Sequence, residues 1–195
     1  MSENSRTSAI ARPDRVFVLS GPSGVGKNTV AAGLCESGRA VRAVTATTRR
    51  ARPGERDGED YHFVSRQKFQ QWLAQGRLLE HNRYGEHYYG TPAFAVNEAA
   101  ETGKPVLLVI DVNGALQIKR LFPGVHLVFL APPDAQALEA RLRGRGDEDQ
   151  QSIAYRLRRA EKEMQLKERY DHTVVNDRLE DAVREVAQII EQETR

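Results

Sequence analysis

The sequence predicts an α/β fold, a central parallel sheet flanked by helices in doubly wound order, on three observations. A short β-rich run, Arg15 to Ser20, leads through a glycine-rich turn into residues of helical period that begin at Lys27. Two later apolar runs, Val106 to Ile110 and Val125 to Leu130, are continuous rather than alternating, the pattern of strands covered on both faces of a parallel sheet. Each run is followed by a helical segment, so the chain repeats strand and helix in turn.

Met1 to Pro13 has no hydrophobic period and reads as a flexible tail. After the first strand, Val30, Ala31, Leu34 and Cys35 recur at helical spacing, and the helix stops before Gly38. From about 44 to 91 the character changes to mixed polar segments with Tyr and Gly, which suggests a small inserted α+β subdomain with one amphipathic helix, Ser65 to Gln75. Thr91-Pro92 reads as an N-cap followed by proline at the first helical position, opening the helix that returns to the main sheet. Val112 to Leu121 and Ala135 to Leu142 are the helices that follow the two apolar strands. Gly144 to Gln150, rich in charge and glycine, reads as a mobile flap, the start of a short lid region spanning about 144–170. A long helix from about Gln151 to Tyr170 aligns Ile153, Leu157, Ala160 and Met164 on one stripe, with its charges on a solvated face. Thr173 to Val175 and then Arg178 to Glu191, capped by Asp177, close the chain with another strand and helix. The core is therefore expected over 14–43, 92–143 and 171–195.

A chain of 195 residues supports one well-cored folding unit. Net charge +2 is too small a surplus for a nucleic-acid stripe, so no nucleic-acid partner is expected, and the interest lies in where arginines cluster. The lone Cys35 cannot form an internal disulfide and has no second cysteine to complete a metal or redox motif. No stretch approaches a membrane span and the first residues lack an apolar leader core, so a cytoplasmic protein with no membrane partner is expected.

The turn after the first strand, Gly21-Pro22-Ser23-Gly24-Val25-Gly26-Lys27-Asn28-Thr29, fits G-x-x-x-x-G-K between a strand and a helix. Glycines let successive backbone N–H groups turn toward a phosphate, and the helix N-terminus adds favourable potential for the anion. Lys27 then reaches the β- and γ-phosphates of a nucleoside triphosphate. A Gly/Ser-rich turn with a surface lysine is the plain alternative, and the strand-then-helix context argues against it. Asn28 stands where Ser or Thr normally helps hold Mg²⁺, with a hydroxyl one place later at Thr29.

Arg49, Arg50 and Arg52 offer guanidinium forks for a second anion, or else form a solvated basic loop. Taken with the phosphate loop, TATTRRARPGERDGEDYHFV resembles the guanylate kinase signature. The likeness continues through Glu80, Tyr88-Tyr89-Gly90-Thr91, IDVNG at 110–114, APP at 131–133, RLRGRG at 141–146 and VVND at 174–177. The resemblance implies a P-loop kinase that moves a phosphoryl group from ATP to GMP with Mg²⁺ as cofactor. It implies that Arg49, Arg52, Tyr61 and Tyr89 hold the GMP phosphate and that Thr45, Glu80, Thr91 and Asp111 contact guanine. Glu80 could accept from guanine N1–H and the 2-amino group, a donor pair that adenine lacks. Arg141, Arg145 and Arg156 correspond to family arginines on the ATP side, and Asn176 to a residue lining the adenine site. Lys27, Arg49, Arg145 and Arg156 would then be the catalytic set.

A second departure from the family pattern is Val109, two places before Asp111, where many members carry an acidic residue. With Asn28 it implies a metal held chiefly by phosphates and water, with Thr29 as the remaining protein candidate. Two rivals stay open: a ribose bisphosphate phosphokinase sharing the phosphate loop but not the guanine set, and a catalytically inactive domain of the same fold that binds protein ligands. Oligomeric state and tolerance of dGMP are not legible.

Overall fold

Every residue of strand β1, Val16–Ser20, is buried, as a continuous apolar run at the centre of a sheet requires. The structure, a computed structural model, describes residues 10–144 and 150–195. Strands β2 (Val41–Arg42), β7 (Val106–Val109), β8 (His126–Ala131) and β9 (His172–Val175) join β1 in a five-stranded sheet of order β2-β7-β1-β8-β9, and every pairing in it is parallel. The order reverses at β1, which has β7 on one side and β8 on the other. That switch point opens a crevice at the carboxyl ends of the strands, where open α/β sheets bind ligands.

Helices cover both faces. Helix α1 (Lys27–Glu36) and helix α7 (Leu179–Glu193) pack on one, where Phe17, Leu19, Val128, Leu130 and Val174 meet Val30, Leu34, Val186 and Ile190. Helices α3 (Ala93–Glu101) and α4 (Val112–Leu121) cover the other, burying Val18, Leu108, Leu127 and Phe129 against Val96, Ala115 and Ile118. The continuous hydrophobicity read in the sequence is the signature of this double covering.

Residues 46–92 build a second sheet of order β4-β3-β6-β5 from β3 (Ala46–Thr47), β4 (His62–Phe63), β5 (Leu78–Tyr84) and β6 (His87–Pro92). Helix α2 (Arg66–Ala74) starts at Ser65, whose side chain accepts the Lys68 N–H, and buries Phe69 and Trp72 against Ala46 and Leu78. Helices α5 (Ala135–Arg143) and α6 (Gln150–Met164) pack together through Leu138, Leu142 and Ala160.

Several boundaries differ from the sequence reading. Ile10 is buried in the core and Pro13–Arg15 forms a 3-10 turn, so the chain is structured before residue 14. A single apolar residue carries no period, which is why this anchor was invisible. Thr91 is not a helix cap: it lies within β6, Pro92 takes the N-cap place, and the threonine hydroxyl is committed elsewhere. Asp177 does not cap α7 either, since Arg178 holds that position without a side-chain bond. Helix α6 ends at Met164 and a separate 3-10 turn, Lys167–Arg169, follows. The two-residue strand β2 is too short to leave a sequence pattern.

Candidate active site

The glycine-rich turn leaves the end of β1 and runs into α1 with Gly21, Gly24 and Gly26 at φ +141°, +88° and +100°. Each is also crowded: a Cβ would stand 2.2 Å from the Leu130 carbonyl oxygen at Gly21 and 2.5 Å from Asn176 Nδ2 at Gly26. Both conditions demand glycine. Lys27 folds back over the loop, its Nζ donating to the carbonyls of Gly21 at 2.7 Å and Pro22 at 2.9 Å. Asn176, buried at the end of β9, donates through Nδ2 to the Val25 carbonyl at 2.8 Å, which leaves Oδ1 a buried acceptor with no protein partner. Arg141 clamps the same region, donating to the carbonyls of Val25, Asn176 and Asp177. From α6, Arg156 Nη1 approaches Ser23 Oγ at 3.4 Å. Arg145 lies outside the described residues.

The first turn of α1 presents Asn28 and Thr29 to solvent, while Val109 is buried among apolar neighbours. The donors exposed beside the loop are thus a neutral amide and a hydroxyl, a set that suits a hard divalent ion bound mainly through water and phosphate oxygens. No carboxylate comes from β7.

The residues expected to meet the acceptor nucleotide gather on the second sheet and the start of α4. Glu80 is only 3% exposed. It faces Thr91 across β5 and β6, and accepts a 2.7 Å hydrogen bond from Thr91 Oγ1. A register shift between Leu78 and Glu80 breaks the alternation of β5, a bulge of the kind that re-aims a side chain. Behind the carboxylate stands Gly114 on α4, where a Cβ would lie 2.5 Å from Glu80 Oε2. Burial pushes the Glu80 carboxyl up to about 8, against the pull of its Thr91 bond and with Asp111 adding to the rise. Asp111 caps α4 through the N–H groups of Asn113 and Gly114 and accepts from Asn82 Nδ2 with both oxygens at 3.1 Å. Thr45 is buried just before β3, and its carbonyl accepts from His62.

Arg49 forms a two-pronged ion pair with Glu55 at 2.8 and 2.9 Å, and its charge lies 5.6 Å from the Tyr61 ring centre. Tyr61 stands edge-on to Tyr89 at 6.2 Å, and Tyr89 edge-on to Tyr84 at 5.7 Å. Hydrogen bonding from Arg49 holds the Glu55 carboxyl below its ordinary range, with the Arg52 backbone N–H adding to it. Arg52 itself is exposed on the loop. Arg49, Tyr61 and Tyr89 are therefore assembled into one cluster, and Arg52 is beside it rather than in it.

Over 13–193 the chain matches the family model described as guanylate kinase. It belongs to the guanylate kinase family. The guanylate kinase of Gloeobacter violaceus is 48% identical over 92% of this chain and 88% of its own. That of Lactococcus lactis subsp. lactis is 47% identical over 91% and 87%. The crystal structure of guanylate kinase from Anaplasma phagocytophilum superposes with a TM-score of 0.75 at 33% identity, covering 91% of this chain and 85% of that one.

Against this family frame, sequence reasoning missed two charged residues of α6. Glu163 is 9% exposed and accepts from Arg159 Nε at 2.7 Å. Its carboxyl is raised by burial, and the charges of Arg159 and Lys27 oppose the rise. Arg159 Cζ also lies 3.9 Å from the centre of the Tyr84 ring, within cation–π reach. Read as a solvated face, these charges turn inward instead. The available signal was spacing: Arg156, Arg159 and Glu163 repeat at intervals of three and four beside the apolar stripe, which places all three on one side of the helix.

Proposed function

We propose that this chain transfers the γ-phosphate of ATP to GMP, giving ADP and GDP. The observation that carries the reading is Glu80: a carboxyl buried between Thr91 and Gly114, beside Asp111, is costly to place there unless a ligand supplies paired donors. Guanine supplies such a pair and adenine does not. Helix α6 supports bringing the two halves of the site together, since its Arg156 approaches Ser23 of the phosphate loop while its Arg159 lies over Tyr84 of the acceptor sheet.

In this reading the glycine-rich loop and α1 hold the ATP phosphates, and Lys27 exchanges its two loop carbonyls for β- and γ-phosphate oxygens. Asn176 and Arg141 fix the loop, and the spare acceptor Asn176 Oδ1 faces the adenine side. Arg49, Tyr61 and Tyr89 grip the GMP phosphate, with Arg52 closing over it from the loop, while Thr45, Glu80, Thr91 and Asp111 frame the base. An oxygen of the GMP phosphate attacks the γ-phosphorus and the bond to the ADP oxygen breaks, with the charge on the transferring group met by Lys27, Arg156 and Arg145. Mg²⁺ would neutralise phosphate charge, bound through water and phosphate oxygens near Asn28 and Thr29. Residues 44–91 serve as the GMP-binding part and 144–170 as the lid, whose closure excludes water as a competing acceptor.

ADP release measured with GMP, AMP and ribose 1,5-bisphosphate under saturating Mg-ATP tests the proposal. Turnover with GMP is expected to exceed that with AMP by at least about 10³-fold in kcat/KM. No turnover with GMP would sink it. For Asn28→Ser, a Mg²⁺ titration of the rate is expected to move kcat by less than about threefold, because the metal shell comes mainly from water and phosphates. A gain of tenfold or more would show instead that direct ligation is what this chain lacks.

A further inference from the structure

At the end of the sheet opposite the phosphate loop, three side chains of metal-binding type converge. His126 opens β8 and His172 opens β9. Because His172 lies opposite Val128, His126 is two residues before that register position and points to the same face of the sheet. That face is covered by α7, where Val186, Ile190 and Glu193 follow one another at helical spacing. Each of the three residues is thus the polar end of an otherwise apolar row.

His172 Nε2 lies 3.2 Å from Glu193 Oε1, and His126 Nδ1 lies 3.6 Å from Glu193 Oε2. One ligand atom from each of the three falls within 4.8 Å of the other two. Four ligands about a tetrahedral ion with bonds of about 2.0–2.1 Å stand roughly 3.3 Å apart, and the 3.2 and 3.6 Å separations of the two imidazoles from Glu193 already lie near that spacing. His126 is already oriented: its ring stacks on Phe17 with centres 4.8 Å apart, and its Nε2 sits 3.2 Å from the Asp14 carbonyl oxygen. That oxygen can only accept, so Nε2 carries the proton. In the neutral ring this turns the Nδ1 lone pair toward the Glu193 carboxylate. Two electron-rich atoms facing each other call for a cation between them. A metal-bound histidine commonly donates its other ring N–H to a backbone carbonyl in this way.

We propose that His126, His172 and Glu193 form a binding site for a divalent transition-metal ion of the Zn²⁺ class, with water completing its shell, that ties β8 and β9 to the end of α7. Imidazole nitrogens with one carboxylate suit Zn²⁺, Co²⁺ or Ni²⁺ rather than Mg²⁺, which prefers oxygen ligands, so the ion used with ATP does not compete. The site owes nothing to the proposed nucleotide chemistry and stands or falls apart from it.

The test uses the tag-free, chelator-treated full chain. Titration with Co²⁺ is expected to give a visible absorption band saturating at one ion per chain, displaced by Zn²⁺, and Zn²⁺ is expected to raise Tm. His126→Ala and His172→Ala should each weaken Zn²⁺ binding by at least about tenfold. Glu193→Gln, on the last turn of α7, should weaken it as well. Circular dichroism and Tm in chelator confirm that each variant is folded. Absence of the band overturns the site, as does undiminished Zn²⁺ affinity in the His126→Ala/His172→Ala variant, which would put the metal elsewhere. Stabilisation that follows pH but ignores metal also overturns it, since the cation between ring and carboxylate is then a proton.

Discussion

Lys27→Met lowers kcat by about 10²–10³-fold, the range for losing one preorganised group that stabilises transition-state charge. Methionine keeps the aliphatic stem that crosses the loop and removes the ammonium, so the loop loses two part-buried hydrogen bonds to the Gly21 and Pro22 carbonyls, a cost of about 1–3 kcal/mol. Tm is therefore expected to change by only a few degrees while activity collapses. The measurement is steady-state ADP release at saturating ATP and GMP alongside thermal unfolding. A variant that keeps more than about a tenth of wild-type kcat contradicts the assignment of Lys27 to the transferring phosphate.

Glu80→Gln has two separable consequences. In catalysis it replaces two charge-assisted hydrogen bonds to guanine by one neutral bond and one mismatched contact, and kcat/KM for GMP should fall by about 10²-fold or more while the preference over AMP narrows. In the ligand-free protein the sign reverses. The folded carboxyl is pushed from 4.5 up to about 8 by burial, so between those values the folded state holds a proton that the unfolded chain has released. Stability contributed by this group is present below its unfolded pKa and is lost as pH rises through the folded one. The glutamine variant lacks that loss, and its Tm should exceed wild type most clearly at pH 8 and above. Guanine binding requires the carboxylate, so GMP binding below pH 8 releases a proton from Glu80. Calorimetry in buffers of different ionisation enthalpy reads that proton, and Glu80→Gln subtracts the contribution of the GMP phosphate, which titrates near 6. Equal proton release by wild type and variant removes Glu80 from guanine recognition.

Much of this molecule was legible in its sequence because the relevant signals are local. The bounds of α4 follow from Val112, Ala115 and Ile118, and the phosphate loop is a contiguous string whose glycines have one conformational use. The strands buried on both faces declare themselves by having no polar side to alternate with. What escaped depends on contacts between segments distant in the chain. Whether Thr91 caps a helix or serves a carboxylate is decided by Glu80 across the strand pair, and the same dipeptide permits both. The burial of Glu163 depends on how α6 packs onto the rest of the fold, and the pairing of Arg49 with Glu55 on the fold of an otherwise polar loop. The described site residues named from family resemblance lie on several separate elements, and the bulge that aims Glu80 and the Asn82 contact that steadies Asp111 have no counterpart in a one-dimensional pattern.

Arg159 touches two bodies at once, since its guanidinium lies over Tyr84 at the tip of β5 while it donates to Glu163 on its own helix. Tyr84 in turn abuts Tyr89, which abuts Tyr61 and the arginine beside it. One unbroken line of aromatic and guanidinium contacts thus joins the helix next to the phosphate loop to the sheet bearing the acceptor residues, so any rearrangement that parts the two has to break a ring contact along it.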